Sequence, residues 1–324
     1  MNFRPIHTLL ALTAAATTLL AQPAAAQDFP SKPITLVVPF GPGSGTDQMA
    51  RLYAKALGDE AKVSVVVDNK GGASGFIAAQ HVAKAAPDGY TLMMTTNTTH
   101  AANEHLFKKL PYDPVKDFAP IGLLSTGQML LLVRPDSPYK SLADLLAAAK
   151  KAPGKIDFGS GSSSSQVAGY LLQQMAHVDM LNVPYKSNPQ AITDLIGGRF
   201  AFMFADAPTA LPQVQGGKLR ALAASSGKRL ASLPDVPTVA EAGVKGYDMS
   251  YWFAAYAPAG TPPAVIAKLN QLFAKASATE EVKASLARTS GVLALGTPEG
   301  LAQFQAAESK KWGEVIRAAG IEAQ

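Results

Sequence analysis

The chain has 324 residues, 48% of them hydrophobic, no cysteine and a formal net charge of +5. Without cysteine it can form no disulfide, no thiolate zinc site and no cysteine nucleophile, so a buried core has to supply its stability. Its basic residues are scattered, paired at most as in Lys108-Lys109 and Lys150-Lys151, and that pattern excludes a nucleic-acid partner, which needs charge gathered on one face.

The N-terminus reads as a secretory signal peptide over residues 1–26. Arg4 and His7 form a short basic head, Leu9 to Leu20 is apolar, and Ala24 and Ala26 stand as an A-x-A cleavage signal. The apolar run is roughly a dozen residues, short of the ~20 that a membrane span requires. Cleavage is expected after Ala26, giving a periplasmic mature chain that starts at Gln27. Losing Arg4 leaves 28 of the 29 basic residues against 24 acidic ones, a mild net charge of +4. At about 300 residues the mature chain can bury roughly three quarters of its unfolded surface and can form two domains.

Further along, apolar and β-branched runs alternate with helical patterns. ITLVV (34–38), VSVVV (63–67), YTLMM (90–94), MLLLV (129–133), FAFMF (200–204) and LRALA (219–223) are strand candidates, several of them apolar enough for burial on both faces. Met49, Leu52, Tyr53, Ala56 and Leu57 make one helical stripe, with Gly58 as its expected stop. A second helix ends near Gly197-Gly198. Thr261-Pro262-Pro263 and Thr297-Pro298-Glu299 cap two C-terminal helices. The alternation predicts an α/β protein with mixed, mostly parallel sheets.

Two glycine- and serine-rich loops follow strands and open helices: PFGPGSGTD (39–47) and IDFGSGSSSSQ (156–166). A helix N-terminus exposes unpaired N–H groups and about half a positive charge, glycine admits a ligand close to the backbone, and hydroxyls add donors. Ser44, Gly45 and Thr46 in the first loop, and Ser162, Ser163, Ser164 and Ser165 in the second, therefore suit an anion held between two jaws. Each loop alone is equally a capped turn, with Asp47 or a serine as the cap. Rival motifs fail on spacing. Thr46 and Gln48 stand where G-x-G-x-x-G would need glycine, no lysine completes a phosphate-binding P-loop, and Gly159-Ser160-Gly161-Ser162-Ser163 is no nucleophile elbow. His100 and His105 lack the H-E-x-x-H spacing of a zinc site; His100 stands after a strand, where ligands gather in open α/β sheets, and a core position is the plainer role. Asp206 offers two roles: cap of the next helix, or acceptor for an ammonium or hydroxyl on a ligand. Trp252, in SYWFAAYAP, reads as core where the chain crosses back between lobes.

These motifs together resemble the Bug/TctC family of periplasmic solute-binding proteins, the receptors of tripartite tricarboxylate transporters. The resemblance spans the mature chain and is carried by PFGPGSGTDQMAR (39–51), VVDNKGGASGFIAA (66–79), KLPYDPVKDFAPIGLL (109–124), GSGSSSSQVAG (159–169) and LPDVPTVAEAG (233–243), among others in the same order. It implies a two-lobe periplasmic-binding-protein (Venus flytrap) fold that closes on a small carboxylate, with no cofactor and no catalysis. Residues 27–126 and 252–324 would form lobe 1 and residues 127–251 lobe 2. The implied ligand-binding residues are Phe40, Ser44, Gly45, Thr46, Ser162, Ser163, Ser164, Ser165 and Asp206, and the implied partners of this monomer are one large and one small membrane transporter subunit. The chain departs from the family pattern at Ser187-Asn188-Pro189-Gln190 and around Asp206, where many members carry Asp one position earlier. Dicarboxylates, tricarboxylates, amino acids and aromatic carboxylates all remain open as ligands. An exported serine hydrolase and a sensor docking on a membrane kinase are the alternative readings.

Overall fold

The structure is a computed structural model that describes residues 29–324; the expected signal peptide and its cleavage site lie outside the described residues. Strand β1 (Ile34–Val38) pairs in parallel with β2 (Val65–Asn69) and β3 (Thr91–Thr96). Helices α1 (Gly45–Ala61) and α2 (Phe76–Ala83) make the crossovers. Ser44 caps α1, its Oγ accepting from the Asp47 N–H at 3.2 Å. The helix runs past Gly58, the expected stop, to a left-handed Lys62. Gly58 serves the return of the chain instead, since a Cβ there would lie 3.1 Å from the Val63 carbonyl oxygen.

A π-helical turn over Thr98–Ala102 and the short α3 (Asn103–Leu106) lead into β4 (Phe118–Val133), a 16-residue strand. Only its last five residues are legible as a strand in the sequence. The earlier part carries Pro120, Gly122 and Gly127 and shifts register twice, so the period-two signal breaks. The second wing follows with α4 (Leu142–Lys151), β5 (Ile156–Ser160), α5 (Ser163–Ala176), β6 (Met180–Pro184), α6 (Asn188–Ile196), β7 (Phe202–Asp206), α7 (Ala207–Gln215) and β8 (Arg220–Ala224). In it β5 pairs in parallel with β6 and β7. As an edge strand that ends on a proline, β6 offers no apolar run to read.

The chain returns through β9 (Ser250–Pro258), then α8 (Pro263–Ala278), α9 (Glu280–Arg288), the two-residue β10 (Val292–Leu293) and α10 (Pro298–Ala318). β9 lies antiparallel between β3 and β4. β4 belongs to both wings: up to Gln128 it pairs with β9, and from Met129 it pairs antiparallel with β7 and β8. The sheets are thus mixed, with parallel pairing confined to the outer strands and antiparallel pairing wherever the chain crosses between wings. α8 and α10 pack on β4. The main core includes Leu36, Tyr53, Phe158, Trp252 and Tyr256, and a smaller one gathers Leu130, Leu132, Phe200, Met203 and Leu211 under α6 and α7. Each such side chain contributes about 1.5–3 kcal/mol on burial. Among the described residues no helix is long and apolar enough to cross a membrane.

Candidate functional site

The N-termini of α1 and α5 face one cavity between the wings. In the first wing Phe40, Ser44, Gly45 and Thr46 line it, and in the second Ser162, Ser164 and Asp206. Ser44 and Ser162 are the two N-caps, and each has its oxygen committed to the third N–H of its helix at 3.2 Å. The first two N–H groups of each helix, at Gly45 and Thr46 and at Ser163 and Ser164, have no intrahelical partner. They are the donors an anion would find here.

Asp47 is not the cap. It stands at the third helical position, buried, and accepts from the Gly43 N–H at 2.8 Å, Arg51 Nε at 3.0 Å and Asn69 Nδ2 at 2.9 Å. Burial alone would raise its carboxyl, but the Arg51, Gly43 and Asn69 donors outweigh that and hold it below the usual range. Asp47 thereby braces the glycine turn from behind and contributes no charge to the cavity.

Two of the four serines turn elsewhere. Ser165 completes a capping box with Ser162, its Oγ accepting the Ser162 N–H at 3.0 Å. Ser163 donates across the wings to Asn103 Oδ1 at 2.9 Å. Ser164, which does line the cavity, also accepts from Asn97 Nδ2 at 2.6 Å. The α5 N-terminus is therefore tied to the first wing by side chains of the 97–103 segment.

Asp206 occupies the cap position of α7 without capping it. Its Oδ1 accepts from Asn188 Nδ2 at 2.6 Å, whereas Oδ2 is buried and accepts no hydrogen bond. Burial raises this carboxyl above the usual range, against opposing contributions from Asn188 and Thr209. Oδ2 crosses the cleft to the α1 N-terminus, so that a Cβ on Gly45 would fall 2.1 Å from it. Only glycine lets these two walls meet.

Sequence reasoning missed Thr96, Met129, Gly161 and Asn188 as lining residues, and it set Tyr251 and Phe253 beside a possible aromatic ligand but preferred a core role for them. Asn188 lies in the departing segment 187–190, which was the available signal. Tyr251 and Phe253 alternate with Trp252 along β9: the first two face the cavity, and Trp252 Nε1 turns to Glu308 Oε2 on α10 at 3.1 Å. His100 is fully buried away from the cavity, stacked on Tyr256 with ring centroids 4.1 Å apart, and burial lowers its pKa to about 3. It cannot serve a cavity serine as a base.

Residues 49–321 match the model of the family described as Tripartite tricarboxylate transporter family receptor. The chain belongs to that family. Of solved structures, it is similar to Rpa4515 with adipate from R. palustris (35% identity, TM-score 0.89, 92% of this chain and 100% of that one). It is also similar to the periplasmic binding protein BugD (32%, TM-score 0.87, 91% and 100%). A third is MatC of Rhodopseudomonas palustris with bound malate (33%, TM-score 0.85, 89% and 100%). This chain is accordingly an extracytoplasmic solute-binding receptor and not an enzyme.

Proposed function

We propose that this receptor captures a small carboxylate between its two wings and passes it to the membrane subunits, one large and one small, of a tripartite transporter. The wings act as lobes, residues 27–126 with 252–324 and residues 127–251, joined where β4 changes sheet and where β9 begins. One observation carries the reading: two helix N-termini with free first-turn N–H groups converge on one cavity that, among the described residues, has no cationic side chain in its lining. Donors of that kind suit a carboxylate, and they leave no unpaired cation when the lobes part. The adipate and malate bound to the two structural relatives are consistent with that chemistry. Export by a signal peptide cleaved after Ala26 completes the proposal.

A thermal-shift and calorimetry panel of mono-, di- and tricarboxylates on refolded mature protein tests it. A ligand at 100 times its dissociation constant adds about 2.7 kcal/mol of stability. Thr46→Val, which removes one cavity hydroxyl, should weaken the best acid by roughly 10- to 100-fold if that hydroxyl donates to a charged group. A cooperative melt unmoved by every acid refutes the carboxylate reading.

A further inference from the structure

The N-terminus of α1 is approached by two acids. Its first N–H groups, at Gly45 and Thr46, are free for a ligand carboxylate. The carboxyl of Asp206 reaches the same place from the opposite wing, so that a Cβ on Gly45 would fall 2.1 Å from Oδ2. Asp206 Oδ1 accepts from Asn188 Nδ2 at 2.6 Å, whereas Oδ2 is buried and accepts nothing. Asp206 heads α7 without capping it. Few charges stand around this carboxyl. From β9 comes Tyr251, whose phenol burial holds well above its usual range and hence neutral. From α1 comes Asp47, already bonded to Arg51. Met129 of β4, Asn188 of α6 and Thr209 of α7 carry no charge. Among the described residues lining the cavity, Asp206 is the only carboxylate and none is a cation.

We propose that Asp206 Oδ2 carries a proton in the liganded receptor and donates it in a hydrogen bond to the ligand carboxylate, so that the receptor takes one proton from solution each time it closes on an acid. The proposal rests on the carboxylate reading above and deepens it. Each helix N-terminus offers about half a positive charge, and those of α1 and α5 together balance one carboxylate. Two carboxylates in one site closed to water do not both stay ionised; the pair holds a proton between them. Oδ2 is the atom that suits it. Asn188 fixes Oδ1 as an acceptor, and the orphan oxygen becomes a donor once protonated, with the ligand carboxylate as its partner. An O–H···O⁻ bond of that kind is short and roughly twice as strong as a neutral one. When the lobes part, Asp206 meets water and is ionised at neutral pH. On closure one proton leaves solvent and binds Oδ2, and no covalent bond of the ligand changes. Burial in the closed form already raises this carboxyl above its usual range, and a ligand charge beside it acts in the same direction.

Calorimetry on the full mature protein tests this, with adipate, malate and the other acids of the panel above that are fully ionised near neutral pH. Titrating the tightest of them at about pH 7.5 in HEPES and in Tris, buffers of different ionisation enthalpy, counts the protons exchanged. Close to one should be taken up per acid bound. Affinity should weaken by up to about 10-fold per pH unit from about pH 6 to 8, because the bound state holds a proton that the free state has lost. Asp206→Asn puts a neutral amide donor where the protonated oxygen stood. It should bind with no proton uptake and a flat pH profile, and at about pH 8 it should bind roughly 10-fold or more tightly than wild type. Binding to wild type without proton uptake overturns the proposal and leaves the carboxylate reading standing. So does an uptake that survives Asp206→Asn, which puts the proton on another group. Failure of every acid overturns both. The proton count needs only wild type, so a misfolded Asp206→Asn protein does not blunt the test.

Discussion

His100 illustrates how one residue can be conspicuous in sequence and silent in function. It follows a strand and a polar run, yet it lies in the core with Nδ1 bonded to Thr99 Oγ1 at 2.8 Å and Nε2 without a partner. Its depressed pKa has a consequence for stability. As pH falls below 6.5, the ordinary value, the unfolded imidazole gains a proton that the folded one refuses until about 3. Stability should therefore be lost over that window, by up to about 1.4 kcal/mol per pH unit from this group alone. Urea unfolding of wild type and His100→Phe at pH 4.5, 5.5 and 7 measures it. The variant should lose less stability on acidification, and parallel profiles would rule out the buried neutral imidazole as the cause.

At the scale of elements, a buried carboxylate helps tie α10 to the sheet. Glu308 Oε2 accepts from Trp252 Nε1 of β9 at 3.1 Å and from Trp312 Nε1 of its own helix at 3.2 Å. The chain has two tryptophans, and both are tied to this oxygen. Glu308→Ala would leave two buried indole N–H groups without acceptors, a loss of about 2–4 kcal/mol. Glu308→Gln keeps an acceptor and should recover most of it. Denaturant unfolding followed by tryptophan fluorescence reports both, and equal stability of the two variants would contradict the assigned role. Gly169 of α5 shows a different control over packing. Its missing Cβ would meet the Phe158 ring at 2.2 Å, so this glycine sets how closely the helix, and with it the binding N-terminus, lies on β5.

For the molecule as a whole, the crossing strands couple the wings. Gly127 lets the Tyr251 ring lie across β4 beside the point where β4 changes sheets, since a Cβ there would fall 2.3 Å from the phenol oxygen. The opposed walls meet at Gly45 and Asp206 and, farther out, at Gly41 and Ser187, where a Cβ on the glycine would lie 3.7 Å from Ser187 Oγ. Lobes that close this tightly around a ligand should shrink on binding it, and small-angle scattering should record a lower radius of gyration with the best acid. Gly45→Ala places a methyl against the Asp206 carboxyl, an overpacking of about 1–3 kcal/mol. It should reduce both the compaction and the affinity, the latter roughly 5- to 150-fold, while leaving the thermal stability of ligand-free protein nearly unchanged. Full compaction in Gly45→Ala would show that closure does not pass through this contact.

Much of this was legible along the chain. The two glycine- and serine-rich loops between strand and helix are local features, since capping and turn chemistry depend on neighbours a few residues away, and they identified both helix N-termini. The apolar runs located β1, β3 and the end of β4 for the same reason. What the linear order could not decide was which side chains converge. Asn188 and Asp206 stand 18 residues apart and meet only because the start of α6 and the end of β7 open on the same cleft. Tyr251 and Phe253 face the cavity and Trp252 faces away because strand alternation meets a particular register with β3 and β4. Ser163 and Ser165 have the composition of binding residues, and hydrogen bonds to Asn103 and Ser162 take them out of the cavity wall. Caps, turns and apolar runs are written in short-range order. The pairing of donors with acceptors across a cleft depends on side-chain direction and long-range register, and only the tertiary structure determines those.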